Sequence, residues 1–348
     1  DPVGALVLEG EDLVGGDIAR GARLLGKPSG DAAGERHDDV GMIGLERYYD
    51  AVLRGGDGAR EGEIKWRGSP TRVERETAPR AGLTLGLTLD SELQAAMEQS
   101  MQQTMDAVRR QYGSAYATSA AAVVLDVKTG GVLAMASLPT FDPNWSASGS
   151  VAAEFLPQLE EFNRSIQGLY TPGSTYKMVT AVTALEEQVV TPTDIVWCNG
   201  GYRLGNSIVG CWVGAPGHGS VSMVRALAAS CNSYFIDMGV RLRQKAQAQD
   251  RETGMIDLLA KYGAGLGLDG PTGIDLPFER AGRMPRSNGD AWLMGEDVQC
   301  AIGQSRQEYS PLQLAHYVAT LANNGIRLEP HLVDRILDGD SVVWQHVP

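Results

Sequence analysis

The chain has 348 residues, 43% of them apolar, and a formal net charge of −13. That length suits about two domains, the apolar share suffices for a packed core, and the acidic balance excludes nucleic acid as a main partner, because phosphate binding wants a basic surface. No apolar run approaches the roughly 20 residues of a membrane helix, and since the chain opens on Asp1 any signal or anchor is expected to lie upstream.

Residues 1 to about 80 are rich in Gly, Arg, Asp and Glu, and runs such as "RGGDGAREGEIKWRG" fit neither the helical nor the strand period. One helix is predicted at Gly44–Leu53, stopped by Gly55-Gly56. The region is read as a small, irregular, extended domain. Order begins at a short strand, Leu83–Leu89, followed by a long helix. Ser91 and Gln94 fit a capping box there, Leu93, Met97, Met101 and Met105 form a core-facing stripe, and Gly113 closes the end. Two apolar runs, Ala120–Asp126 and Val132–Ser137, flank "DVKTGG" and predict a hairpin. From there to Asn324 the chain reads mainly as helices. The last one has Ser310 as N-cap and Gly325 as its stop, and "IRLEPHLVDRIL" and "SVVWQHVP" then turn extended. Strands, then helices, then strands imply an α+β fold with a mostly antiparallel sheet.

Four cysteines are too few for a disulfide scaffold and lack finger spacing. Cys198 and Cys211 bracket the loop "CNGGYRLGNSIVGC". They are either a pair, contributing about 3 kcal/mol in an oxidising compartment, or two unrelated small apolar residues. Cys231 and Cys300 read as buried thiols. With five scattered histidines no metal site is expected, and His218 in "GHG" reads as a turn residue rather than a member of a Ser–His–Asp triad.

The chemistry centres on "GLYTPGSTYKMVTAV", where Ser174 precedes Lys177 by three residues at a helix start. On one helix face the two lie side by side. A serine hydroxyl needs a neighbouring base, and burial can lower a lysine enough to serve. Downstream, "SCNSYF" places Ser230 and Asn232 in an S-x-N turn between two helical runs. Either motif alone is weak; in this order they are specific.

With "VVLDVKTGGVLAMASLPTFDPN", "GHGSVSMVRALAASCNSYF", "TGIDLP" and "AIGQSRQEYSPLQLA", the chain resembles the class B, monofunctional penicillin-binding proteins, serine D,D-transpeptidases of cell-wall synthesis. "GLERYYDAVLRG" is similar to that class's N-terminal pedestal. The resemblance implies a penicillin-binding fold: a pedestal-like region over 1–80 and a transpeptidase domain over 81–348, an antiparallel sheet flanked by helices. It implies Ser174 as acylated nucleophile, Lys177 as general base, Ser230 as proton relay and Asn232 as the amide that holds substrate and lysine. Peptidoglycan stem peptides and β-lactam antibiotics would be its ligands. Other wall-synthesis proteins, a glycosyltransferase among them, would be its partners, with no cofactor. Its place would be the extracytoplasmic face of the bacterial cytoplasmic membrane.

Two departures stand out. The family's Lys-Thr/Ser-Gly strand has no match after Asn232, and Lys128-Thr129-Gly130, which precedes the nucleophile, is read as an exposed turn. The chain is therefore expected to stop short of its last strands. Ser305 also replaces the glycine usual after "IGQ". The alternatives are a β-lactamase or D,D-carboxypeptidase, in which water resolves the acyl-enzyme, and a non-enzymatic β-lactam sensor.

Overall fold

The computed structural model describes residues 6–8, 41, 43–64, 70–140, 162–248, 254–287 and 292–348. They fall into two compact units. One comprises Asp1–Asn163, Gly273–Glu279 and Leu328–Pro348, the other Arg164–Thr272 and Arg280–Arg327.

The first unit is organised on a four-stranded sheet in the order Leu6–Leu8, Thr84–Leu87, Val333–Asp338, Ser341–Gln345. The first pairing is parallel and the other two antiparallel, with Leu87 opposite Val333 and Asp338 opposite Ser341. Leu53, Leu85, Leu87 and Val333 are buried together beside it. Asp275 ties the return strand in place: its carboxylate accepts the N–H groups of Leu332 at 2.7 Å and Val333 at 2.9 Å, and the Tyr49 hydroxyl at 2.9 Å. Three donors compensate a carboxylate whose burial would otherwise be costly.

The N-terminal region is more regular than its sequence suggests. The predicted Gly44–Leu53 helix is two short ones, Gly44–Tyr48 and Asp50–Leu53, interrupted at Tyr49 (φ −106°, ψ 21°). The stretch without a period carries an antiparallel ladder, Ala59–Ile64 with Pro70–Thr77. Its sequences, "AREGEI" and "PTRVERET", place charges on both parities, so no apolar alternation marks the strands.

The long helix runs Ser91–Tyr112, and its N-cap is Asp90, whose side chain accepts the Leu93 N–H at 2.9 Å. The expected Ser91/Gln94 capping box is therefore corrected. The Gln94 amide instead donates to the Met135 carbonyl at 2.9 Å and accepts the Met135 N–H at 2.8 Å. Along the methionine stripe Met105 is buried and Leu93, Met97 and Met101 are half-buried. The hairpin forms as Ala120–Leu125 with Val132–Leu138. Val132, Ala134, Ala136 and Leu138 face inward in strict alternation, and its turn holds Lys128 and Thr129 exposed, with Gly130 at φ +83°. Among the described residues no further strand of this unit joins the hairpin, apart from an isolated parallel bridge between Gly131 and His331.

The second unit is built on helices Lys177–Glu186, Met223–Ala228, Asn232–Ala248, Met255–Gly265, Met294–Ala301 and Pro311–Ala322. Tyr234, Phe235, Ile236 and Met238 of the long helix form the centre of one core cluster, and Leu242, Met255, Leu259 and Tyr317 are part of a second. Ser310 caps the last helix with the reciprocal Gln313 bonds, and Gly325 follows it at φ +83°. The stretch expected to be mainly helical also carries two β pairings. Gly201–Leu204 pairs with Ser207–Gly210, and Val196–Cys198 with Gly219–Val221. The "CNGGYRLGNSIVGC" loop is thus a hairpin, turned by Gly205 (φ +57°) and Asn206.

Candidate active site

Ser174 does not lie in an α-helix. A single 3₁₀ turn, Gly173–Tyr176, precedes the helix that starts at Lys177. Because three residues make one 3₁₀ turn, positions i and i+3 eclipse, and Ser174 sits directly over Lys177. Gly173 takes φ +56° after Pro172. The turn is pressed against a second glycine: Gly173 N–H donates to the Gly303 carbonyl at 2.8 Å, and a Cβ on Gly303 (φ +76°) would meet the Gly173 carbonyl oxygen at 1.9 Å. Only glycine permits that approach. The Thr180 hydroxyl bonds the Ala301 carbonyl at 2.8 Å, and the Tyr317 hydroxyl bonds the Thr175 carbonyl, fixing the helix start from two further directions.

The Lys177 amine reaches all the other candidate residues. Its Nζ lies 3.1 Å from Ser174 Oγ, 3.0 Å from Ser230 Oγ, 2.8 Å from the Ser230 carbonyl and 2.6 Å from Asn232 Oδ1. An ammonium has three protons, so four oxygens share three donors; a neutral amine keeps two of those donors and uses its lone pair to accept from a serine hydroxyl. Lys177 is buried, and burial lowers it to about 8, with the neighbouring Cys211 and Cys231 pulling the other way. Ser230 occupies the left-handed region at φ +50°, a conformation non-glycine residues hold only where their surroundings enforce it. Asn232 opens the long helix, and its Nδ2 donates to the Gly210 carbonyl at 3.4 Å.

Three of the four predicted site residues, Ser174, Ser230 and Asn232, therefore converge on the amine of the fourth, Lys177. Ser305 is not among the described residues with positive φ, so its replacement of glycine imposes no backbone strain. Among the described residues, the His218 ring nitrogen Nδ1 meets the sulfurs of Cys198 and Cys211.

What the sequence reading missed is beside the S-x-N turn. Cys198, Cys211, His218 and Cys231 bring their ligand atoms within 4.8 Å of one another. His218 Nδ1 stands 3.6 Å from the sulfurs of both Cys198 and Cys211. All four cysteines of the chain are free thiols and buried, so Cys198 and Cys211 are unpaired as a disulfide. Burial raises the Cys198 thiol, but hydrogen bonding to His218, Ser233 and Gly200 outweighs it and brings the group down to about 6. Three sulfurs and one imidazole are a donor set that suits zinc. The expectation of no metal site rested on spacing along the chain, whereas these ligands come from two strand ends, a turn and an interhelical loop. A third cysteine inside the S-x-N motif and a histidine flanked by glycines were the available signals.

Comparison with known proteins gives a consistent picture. The family model described as the penicillin binding protein transpeptidase domain matches residues 120–348, and that of the penicillin-binding protein dimerisation domain matches 27–87. The chain is 32% identical over 325 residues to the peptidoglycan D,D-transpeptidase MrdA of Escherichia coli K12, covering 88% of this chain and 46% of that protein. It thus spans about half the length of the curated relatives it matches. Among solved structures, a chain from "Structural coordination of polymerization and crosslinking by a peptidoglycan synthase complex" is 33% identical with a TM-score of 0.68, covering 87% of this chain and 53% of that one. Pseudomonas aeruginosa PBP2, crystallised with WCK 5153, is 25% identical with a TM-score of 0.68, covering 99% of this chain and 75% of that one.

Proposed function

Because the chain belongs to the penicillin-binding protein transpeptidase family, we propose that it is the acyl-transfer part of a peptidoglycan D,D-transpeptidase. The observation that carries the reading is the Lys177 amine, buried and in contact with the hydroxyls of both Ser174 and Ser230. Ser174 Oγ attacks the carbonyl of the penultimate D-alanine of a stem peptide while its proton passes to Lys177. Ser230 relays that proton to the nitrogen of the departing D-alanine, so the amide bond breaks as the ester forms. An amine of a neighbouring stem then attacks the ester, loses its proton back through Ser230 and Lys177, and frees Ser174. Asn232 holds the lysine by its Oδ1 and offers Nδ2 to the substrate amide. A β-lactam enters as the first substrate and leaves a slowly hydrolysed ester.

In this reading residues 1–80 serve as the pedestal and 81–348 as the transpeptidase domain. The protein acts at the extracytoplasmic face of the cytoplasmic membrane, with a glycosyltransferase that polymerises the glycan as partner. The solved relative in a peptidoglycan synthase complex supports that pairing. No helix among the described residues is long and apolar enough to cross a membrane.

Intact mass spectrometry of the protein as the cell makes it, after treatment with a labelled penicillin, tests the assignment. One adduct mapping to the Ser174 peptide and absent from Ser174→Ala is expected. An adduct elsewhere, or undiminished labelling of the variant, rejects it. Acyl-enzyme lifetime separates the outcomes of the second step: many minutes fits a transpeptidase, seconds a β-lactamase.

A further inference from the structure

We propose that Tyr317 is a positioning residue for acyl transfer: by bonding the Thr175 carbonyl it keeps the Ser174 turn in its 3₁₀ form, and so keeps Ser174 over Lys177. The inference rests on the function proposed above, with Ser174 as nucleophile and Lys177 as base.

The two helical forms differ by a rotation. Three residues of 3₁₀-helix complete a turn, so Ser174 and Lys177 eclipse. Three residues of α-helix, at 3.6 per turn, fall about 60° short of one. Rewinding the turn as α-helix would therefore swing the Ser174 hydroxyl about 60° around the axis, away from the amine it meets at 3.1 Å. The backbone carries the tighter winding past the serine: Tyr176 has ψ −14° and Lys177 ψ −27°, against about −42° in an α-helix. The α-helix Lys177–Glu186 follows without a break, so its extension by one turn is the nearest competing conformation.

Ser174 and Thr175 face solvent, and contacts on both sides of the serine oppose that relaxation. Before it, the Gly173 N–H bonds the Gly303 carbonyl at 2.8 Å. After it, the Thr175 hydroxyl donates to the Pro172 carbonyl at 2.8 Å, and the Thr175 carbonyl accepts the Tyr317 phenol. A donor that reaches a first-turn carbonyl from outside draws it off the helix axis and weakens the intrahelical bond to it. Tyr317 brings that donor from 142 residues away, and its mount is rigid. Its side chain is fully buried. Its helix, Pro311–Ala322, is tied down at the start by the Leu312 N–H on the Ser165 carbonyl at 3.0 Å and the Gln313 amide on the Gly270 carbonyl at 2.7 Å. Tyr176 of the turn stacks on Tyr309 at 6.1 Å and 8°, and Tyr309 exchanges backbone hydrogen bonds of 2.9 Å with Tyr170. The three rings of Tyr176, Tyr309 and Tyr317 belong to one core cluster. Burial raises the Tyr317 phenol above its usual range, so it remains a donor through the interval in which Lys177, at about 8, exchanges its proton.

The test uses the protein as the cell makes it and follows acylation by a fluorescent penicillin in stopped flow. Saturation separates the acylation rate constant from the affinity of the complex that precedes it, and thermal melting refers each rate to folded protein. Tyr317→Phe keeps the ring and removes the donor. Its acylation rate constant is expected to fall about 10–10²-fold, the scale of a misplacement near 1 Å. The preceding affinity and the pH midpoint near 8 should stay where they are. Tyr309→Phe removes a phenol from the same core whose hydroxyl reaches no backbone group of the turn among the described residues, and should acylate at nearly the unaltered rate. Para-aminophenylalanine at position 317, which returns an N–H donor to the ring, should restore most of the rate. An equal loss in Tyr309→Phe, no recovery with the restored donor, or a loss that appears as weaker binding or a moved midpoint shows a packing or electrostatic effect and overturns the role. If the unaltered protein gives no adduct at Ser174, the transpeptidase reading falls and this role with it; if it labels normally and Tyr317→Phe labels at the full rate, the positioning role alone falls.

Discussion

Two buried polar clusters lie within the helical unit, and their electrical plans are opposite. At Lys177 the chain supplies the cation and four oxygens close on it. At Cys198, Cys211, His218 and Cys231 it supplies electron-pair donors only. The first is complete from the chain's own atoms and can tune itself: burial alone shifts the amine toward neutrality. The second gathers three buried thiols around one imidazole. Both include the same turn: Lys177 bonds Ser230 and Asn232, and Cys231 between them belongs to the thiol cluster.

The largest expected effect strikes the self-sufficient cluster. Lys177→Arg keeps a charge that cannot be given up, and should lower the acylation rate constant by at least about 10²-fold, the usual scale of general-base loss. Thermal melting serves as the control. Near-normal acylation by the arginine variant would show that Lys177 acts as a structural cation. Next in size is Gly303→Ala. It forces a Cβ onto the Gly173 carbonyl at 1.9 Å and should cost about 2–3 kcal/mol in denaturant unfolding, within the range for strained backbone, with slower acylation as the Ser174 turn is displaced. An unchanged midpoint would mean that the turn yields freely.

The pH dependence sharpens the contrast further. With Lys177 at about 8, roughly a tenth of the amine is neutral at pH 7 and roughly nine-tenths at pH 9. Acylation should therefore rise about tenfold over that interval and then level. Since the folded value lies below the unfolded one, the folded chain binds fewer protons between about 8 and 10.4, and this group's contribution to stability rises with pH through that window. A flat profile across pH 7–9 would contradict a lysine base. The smallest effect is reserved for Ser305→Gly, which restores the family's usual residue where no positive φ demands it. It should cost about 0.4–1 kcal/mol through chain entropy alone and leave acylation within about twofold. A large gain in rate would show that Ser305 obstructs the site.

The same two clusters measure what the sequence makes visible. Ser174 and Lys177 are neighbours through local geometry, one turn apart, so their meeting could be read from spacing. Ser230 and Asn232 joined them through a resemblance. The thiol cluster arises from tertiary return of four segments, which no period encodes. Elsewhere the apolar alternation at Val132–Leu138 announced its strand, while Ala59–Ile64, with charges on both parities, pairs through its backbone and gave no such pattern. The Asp90 cap was displaced by one residue because Ser91 and Asp90 are near-equal cap formers, and only the engagement of Gln94 with Met135 decides between them.

The strand order of the first unit also sets a timetable. Thr84–Leu87 pairs with Val333–Asp338, so a central strand emerges about 250 residues before its neighbour, which at 5–20 residues per second is roughly 12–50 s. During that interval Leu85 and Leu87, both deeply buried in the finished sheet, have only Leu6–Leu8 to pair beside them. The helical unit, whose segments run from Arg164 to Arg327, is complete only six residues before Val333. The vulnerable species during biogenesis is thus a chain whose Leu85 and Leu87 wait on an open β edge while the whole helical unit is synthesised.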